Sequence, residues 1–262
     1  MTKKQTIKLL RMKTLEEKTV SAKYAINRSV VSFWVFNLFA LGFLFFWIWL
    51  YKQPQDNAAP APLRTVLKTN EKIFTSLFGN NRLAKTFPLK DAVVKVRVNG
   101  DAGMGDNFDA TKWKLQVARS AGDTFYVTMD EIKALPKTDI IFDFKCIEGW
   151  SQVTHWAGVK FSDFVKKYHL EQESQLKYVG LNTPDKKYYV GIDTKSILHP
   201  QTLLCYEMNG APLPMNQGYP LRLVIPVKYG VKHIKRIGTI FFSDTQPPDY
   251  WYEQGYDYYG GL

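Results

Sequence analysis

The chain has 262 residues, of which 45% are hydrophobic and 15% aromatic, enough to bury a sizeable core and too apolar for a globally disordered chain. Its formal net charge of +11 is unevenly spread: residues 1–28 carry eight Lys/Arg against only Glu16 and Glu17. The remainder is a mildly basic body with no basic stripe and no nucleic-acid motif, which argues against a nucleic-acid-binding module.

Residues 29–51, Ser29 through Tyr51, contain no charged side chain. At 1.5 Å per residue about 20 residues cross a hydrocarbon core of about 30 Å, so this run is long enough to span one. Trp47, Trp49 and Tyr51 gather at its far end, where aromatic side chains suit a membrane interface. The run is apolar on all sides, too long for a signal-peptide core, and followed by no small-residue cleavage site, so it reads as an uncleaved single-pass anchor. The basic residues precede it, while only Lys52 and Arg64 follow closely. That asymmetry makes residues 1–28 a cytoplasmic tail and puts the rest on the far, periplasmic side of the inner membrane.

Residues 52–63 form an extended Pro/Ala linker, and residues 64–262 the folded domain. Residues 64–85 open that domain as a short helix, with Thr69-Asn70 as a cap before Ile73, Phe74, Leu77 and Phe78. A period of two then takes over. Val94, Val96 and Val98 alternate with Lys95, Arg97 and Asn99, with a turn at Asn99-Gly100; Trp113, Leu115 and Val117 repeat the pattern, and Phe125 and Val127 continue it. Thr128-Met129-Asp130-Glu131 reads as a helix start. Further strands are expected over 139–142, 177–181, 188–192, 221–226 and 238–242. Short strands with few helices give an α+β, mainly β, domain rather than repeating βαβ units.

Asp139-Ile140-Ile141-Phe142 delivers Cys146 to a strand end. Gly149 and Ser151 then break the pattern, and Gly158 opens a helix through Phe164, Val165 and Tyr168. A thiol there, bracketed by Trp150 and Trp156, is either a soft-metal ligand in a walled pocket or a small core residue. The second cysteine, Cys205, has apolar flanks and reads as a core thiol, although the two could pair in an oxidising compartment. No His/Cys cluster at zinc spacing, P-loop, G-x-S-x-G or GxGxxG is present.

Two segments carry a family resemblance. Lys145-Cys146-Ile147-Glu148-Gly149-Trp150-Ser151 with His155-Trp156-Ala157-Gly158 resembles the cysteine segment of the sulfite oxidase superfamily, most closely the bacterial branch that includes the periplasmic methionine sulfoxide reductases. Gly218 through Pro226, then Lys228-Tyr229-Gly230 and Lys232-His233-Ile234-Lys235, agrees in order and separation. The resemblance runs from about Asn70 to the C-terminus.

The resemblance implies a sulfite-oxidase-type fold that binds a molybdenum-bearing molybdopterin and performs two-electron oxo transfer at a metal–thiolate centre. It implies Cys146 as metal ligand, which would exclude a disulfide to Cys205. Arg222 would hold the cofactor phosphate through its planar fork, helped by Lys235 and the backbone of His233 and Ile234. Asn70, Ile73 and Phe74, Thr183 and Gln217 fall on further pterin contacts; the family more often has Asn at the last position, and the neighbouring Asn216 could substitute there. His155 and Trp156 would line the approach to the metal, His155 as a proton donor or a hydrogen-bonded wall residue. No haem-binding C-x-x-C-H or iron–sulfur cysteine set is present, so electrons would pass to or from a membrane haem or quinone-linked protein. Reduction of a small S- or N-oxide is the first expectation and sulfite-type oxidation the second. The family is usually exported behind a twin-arginine signal, and residues 1–28 hold no Arg-Arg pair. A degenerate signal-anchor, a reversed topology, or a cofactor-free membrane-tethered binding or assembly protein are the alternatives this leaves.

Overall fold

A computed structural model of the chain describes residues 3–77, 79, 82–98, 100–105, 108–119 and 122–261. Phe78 and Asn99, named above, lie outside the described residues. The chain forms two compact units, residues 1–54 and 55–262.

The first unit is one α-helix, α1 (Lys3–Tyr51). It runs without a break through both the basic segment and the uncharged one, because neither contains a proline or a glycine pair to interrupt it. Phe33, Trp34, Phe39 and Phe45 are all more than 60% exposed, so the apolar surface goes all round. Among the described residues this is the helix long and apolar enough to cross a membrane.

The second unit begins with a two-residue pair, β1 (Gln55–Asp56) and β2 (Ala59–Pro60), and then α2 (Ala61–Leu77). The helix starts before the expected cap and runs straight through Thr69 and Asn70. Pro62 sits in its first turn, where the missing N–H costs nothing. Arg64 is buried and holds this end together, donating to the carbonyls of Asp56, Asn57, Tyr252 and Tyr256.

Two five-stranded sheets follow. One has the order β10-β9-β6-β5 with β11 also on β9, from β5 (Lys137–Lys145), β6 (Ser151–Lys160), β9 (Leu203–Met208), β10 (Ala211–Pro212) and β11 (Arg222–Val224), all antiparallel. The other has the order β4-β3-β12-β7-β8, from β3 (Leu115–Ala118), β4 (Thr124–Val127), β7 (Tyr178–Asn182), β8 (Tyr189–Asp193) and β12 (Thr239–Ser243); β3 and β12 run parallel. Short helices α3 (Met129–Lys133), α4 (Phe161–Lys167), α5 (Thr194–Ile197) and α6 (Tyr250–Glu253) punctuate them. At α3 the expected start holds: Thr128 and Glu131 form a reciprocal capping box.

The main core lies between the sheets. Val159, Leu204 and Leu223 from the first, with Ile225 just beyond β11, meet Leu115, Val117, Leu181, Ile192 and Ile240 from the second. The outer face of the first sheet carries a second cluster: Ile140, Phe142, Phe144, Trp156, Cys205 and Val224. A sheet apolar on both faces cannot alternate, and for that reason β6 and β9 escaped the period-two reading.

Two expectations fail here. Residues 94–98 are not a strand. Their backbone groups bond to side-chain amides, with Asn209 Nδ2 donating to the Val93 and Val94 carbonyls and Gln152 Oε1 accepting from Arg97 N. And Gly158 lies within β6 rather than opening a helix, since a Cβ there would sit 2.1 Å from the Leu204 carbonyl oxygen of β9. It is a close-approach glycine.

Candidate functional site

Strand β5 ends at Lys145, and residues 146–150 turn back into β6. Trp150 O accepts from Cys146 N at 2.9 Å and Cys146 O from Gly149 N at 3.1 Å; Gly149 has φ +87°, which favours glycine. Cys146 is thereby held at the sheet edge, 5% exposed. Burial pushes its thiol above the ordinary range, opposed by the backbone N–H groups of Glu148 and Ile147. Those N–H groups are ready to stabilise a thiolate, the form in which cysteine binds metal. Trp150 stacks on Phe144 at 6.0 Å, donates to Glu148 at 2.8 Å, and carries the Arg97 guanidinium 4.8 Å over its ring. Both cysteines are free thiols.

On the same outer face of the sheet, β11 presents Arg222, fully buried. The plane of its guanidinium lies over the Trp156 ring at 4.4 Å. Nη1 donates to both Gln217 O and Gln217 Oε1 at 3.0 Å, and Nη2 to His233 O at 3.4 Å. Nε has no partner, and among the described residues no carboxylate pairs with this cation. Burial brings its pKa down to about 10. Lys235, 7% exposed, donates to Gly100 O and Asn216 O, and burial, then the nearby Arg222, lowers it to about 7. His233 is pushed down to about 3 by burial first and Arg222 second, so it is neutral. Its Nε2 therefore donates to Lys228 O at 3.1 Å, and its buried Nδ1 is a bare acceptor. The imidazole meets Phe144 edge-on at 4.8 Å and stacks on Phe142 at 6.1 Å. Gly218 has φ +105°, and a Cβ there would lie 3.0 Å from the Lys235 Cα and the Arg236 N, so only glycine fits this approach.

The structure thus gathers Cys146, Gln217, Arg222, His233 and Lys235 on one face. Ile234 contributes backbone, its carbonyl accepting from Leu223 N, while its side chain is core; the His233 N–H is already taken by Gly230 O. The other expected residues stand apart. Thr183 is buried at the end of β7, its hydroxyl engaged within its own turn by Asp185 and Tyr188. Asn70, Ile73 and Phe74 lie on the exposed side of α2. Asn70 and Phe74 line a cavity of about 760 Å³ with Phe142, Asp143, Lys145 and Tyr259. Phe142 is the shared wall, facing that cavity and stacking on His233.

His155 is a clear divergence. It pairs with Ile141 across the hairpin, five positions from Cys146 and so about 16 Å along the strand. Being adjacent to Trp156, it points to the opposite face, where Nε2 bonds Asp139 at 2.7 Å. The structure brings it to neither the thiol nor Arg222. Conversely, Arg97 reaches the site without having been singled out; its only sequence signal was proximity to glycine, and its contact with Trp150 is long-range. Asn216, the neighbour that could stand in for Gln217, meets Lys235 through its backbone carbonyl.

Among the described residues, a buried guanidinium with no counter-charge and an unpartnered Nε, a second buried basic side chain beside it, a bare imidazole nitrogen and a buried thiol flanked by backbone N–H groups together lack an anion and a soft metal. The residues present fit a phosphate-bearing group ligated through Cys146.

Comparison with known proteins identifies the family. The domain family described as "Oxidoreductase molybdopterin binding domain" matches residues 102–251. A candidate protein-methionine-sulfoxide reductase subunit, YedZ1, of Azospira oryzae is 33% identical over 79% of this chain and 78% of its own. The protein-methionine-sulfoxide reductase catalytic subunit MsrP of Xanthomonas campestris is 33% identical over 56% of this chain, and that of Campylobacter jejuni 30% over 60%. The chain spans about half the length of those MsrP relatives, 50% and 58%. The sulfane dehydrogenase SoxCD from Paracoccus pantotrophus is similar at a TM-score of 0.48 and 16% identity, over 53% of this chain and 40% of its own. This chain belongs to the molybdopterin-binding oxidoreductase family.

Proposed function

We propose that this protein is a membrane-anchored reductase of small S-oxides, methionine sulfoxide among them, fed with electrons by a membrane redox partner. The observation that carries the reading is the buried Arg222, without a carboxylate partner among the described residues, lying over Trp156 in the aromatic cluster whose Trp150 carbonyl accepts from the Cys146 N–H. It is supported by the relatives whose names specify methionine-sulfoxide reduction.

When bound, the molybdenum pterin supplies two-electron oxo transfer. The chain's own residues do the rest. Cys146 holds the metal through sulfur, with the Glu148 and Ile147 N–H groups stabilising the thiolate. Arg222 and Lys235 neutralise the phosphate, and neutral His233 offers Nδ1 to a donor. Phe144, Trp150 and Trp156 exclude water from between those two ends, which strengthens every charge interaction there. Asn70, Ile73, Phe74 and Thr183 are the further pterin contacts of this reading. Trp150, Arg97 and Glu148 stand at the entrance and meet the substrate first. The helix α1 anchors the chain, with its basic end on the cytoplasmic side and residues 64–262 as the periplasmic domain.

The test is elemental analysis of detergent-purified protein from a cofactor-making host, wild type beside Cys146→Ser, followed by turnover with a reduced dye. Near-stoichiometric molybdenum and consumption of methionine sulfoxide are expected from the wild type, and neither from the variant. Undiminished turnover in Cys146→Ser would remove the ligand assignment. Oxidation of sulfite without reduction of sulfoxide would reverse the direction. Metal-free wild-type protein would leave a tethered binding or assembly protein.

A further inference from the structure

Gln217 is 2% exposed, and each half of its carboxamide is committed. Oε1 accepts from Arg222 Nη1 at 3.0 Å, while Nε2 donates to the carbonyls of Val96 and Arg97, both at 3.4 Å. This orientation follows from chemistry. Turned over, the amide would set N–H against a guanidinium and oxygen against two carbonyls. The two bonds tie the cation at the bottom of the site to the segment that passes its entrance.

That segment, residues 93–98, is held largely by side-chain amides. Asn209 bonds the Val93 and Val94 carbonyls, Gln152 the Arg97 N–H, and Gln217 the Val96 and Arg97 carbonyls; Val93 N adds one backbone bond to Val153 O. Arg97, at its end, lies over Trp150 beside Cys146. At the other end of the tether, Gln217 takes the Nη1 edge of Arg222 twice, through backbone and side chain. Trp156 supports the plane of the guanidinium, and Nε is left without a partner. The clamp therefore fixes which edge of the buried Arg222 guanidinium is left without a hydrogen-bond partner.

We propose that Gln217 is a positioning residue that acts through Arg222 and the 93–98 segment rather than by touching the cofactor. One side chain would then set both the anion-binding edge and the entrance over the thiol. The extra methylene of Gln over Asn is what lets the carboxamide span from Arg222 to the segment. The inference rests on the assignment of Arg222 to the cofactor phosphate, but its first readout does not.

Cofactor-free protein, made in a host without cofactor synthesis, is compared by amide hydrogen exchange for wild type, Gln217→Asn and Gln217→Glu. Asn is too short to hold both partners, and Glu keeps the Arg222 acceptor but loses the donor to the two carbonyls. Exchange across residues 93–98 is expected to quicken about three- to tenfold in both variants, with the amides of β6 and β9 unchanged. Glu preserves the shape of the side chain and provides the readout if Asn disturbs folding. Unchanged exchange over 93–98 in both variants overturns the proposal in favour of a direct cofactor contact. In loaded protein, pterin loss should quicken alongside. Faster exchange with unaltered pterin retention would overturn the link to the cofactor and point away from Arg222 as its phosphate ligand.

Discussion

Lys235 shows how burial sets chemistry at a single residue. Its ammonium is held at about 7 against an ordinary lysine value of 10.5, because it is desolvated and faces Arg222. Between those two values the unfolded chain binds the extra proton and the folded chain does not, so this residue makes cofactor-free stability rise with pH. Wild type should therefore gain in thermal midpoint on Lys235→Met as pH goes from about 7 to about 9, both without cofactor. Parallel curves would show that Lys235 keeps its charge. A bound phosphate would favour the charged form of Lys235 and reverse this trend. Arg222 and Lys235 were legible in the sequence through motif order; that Arg222 meets no carboxylate among the described residues was not, because only tertiary packing decides which charges meet.

At the scale of elements, the hairpin β5–β6 and its neighbour β9 form the platform of the site. Gly158 is a point of close approach between β6 and β9, at a register shift between Ala157 and Gly158. A methyl there would lie 2.1 Å from Leu204 O and 2.6 Å from Cys205 Cα, backbone atoms that cannot rotate away. Gly158→Ala should lower folding stability by about 3 kcal/mol, measured by denaturant titration. A loss under about 1 kcal/mol would mean that the two strands separate cheaply. Strands exposed on one face, such as β3, were readable from alternation. β6 and β9, buried on both faces, were not, and 94–98 alternated without becoming a strand because carboxamides took its backbone bonds.

For the whole molecule, one helix carries both the basic segment and the apolar run, and the oxidoreductase domain follows after a short connection. If that domain faces outward, protease added to intact spheroplasts should digest residues 64–262 and leave an α1 fragment in the membrane. Complete protection would place the domain in the cytoplasm. Arg64 closes the domain on itself, joining the start of α2 to Tyr252 and Tyr256 near the C-terminal end. Its four carbonyl acceptors lie up to 192 positions away, and no local pattern announces them.

The sequence by itself determined the uncharged run, the α+β class, the thiol at a strand end and the two motifs of the family, because these depend on composition, period and order along the chain. The tertiary structure decided which candidates share a site. It put Cys146, Gln217, Arg222, His233 and Lys235 on one sheet face, left Thr183 in its own turn and Asn70 and Phe74 on a neighbouring cavity, and sent His155 to the opposite face. The reason lies in strand geometry. Adjacent residues point to opposite faces, so His155 and Trp156, neighbours in the motif, cannot both look onto the same pocket.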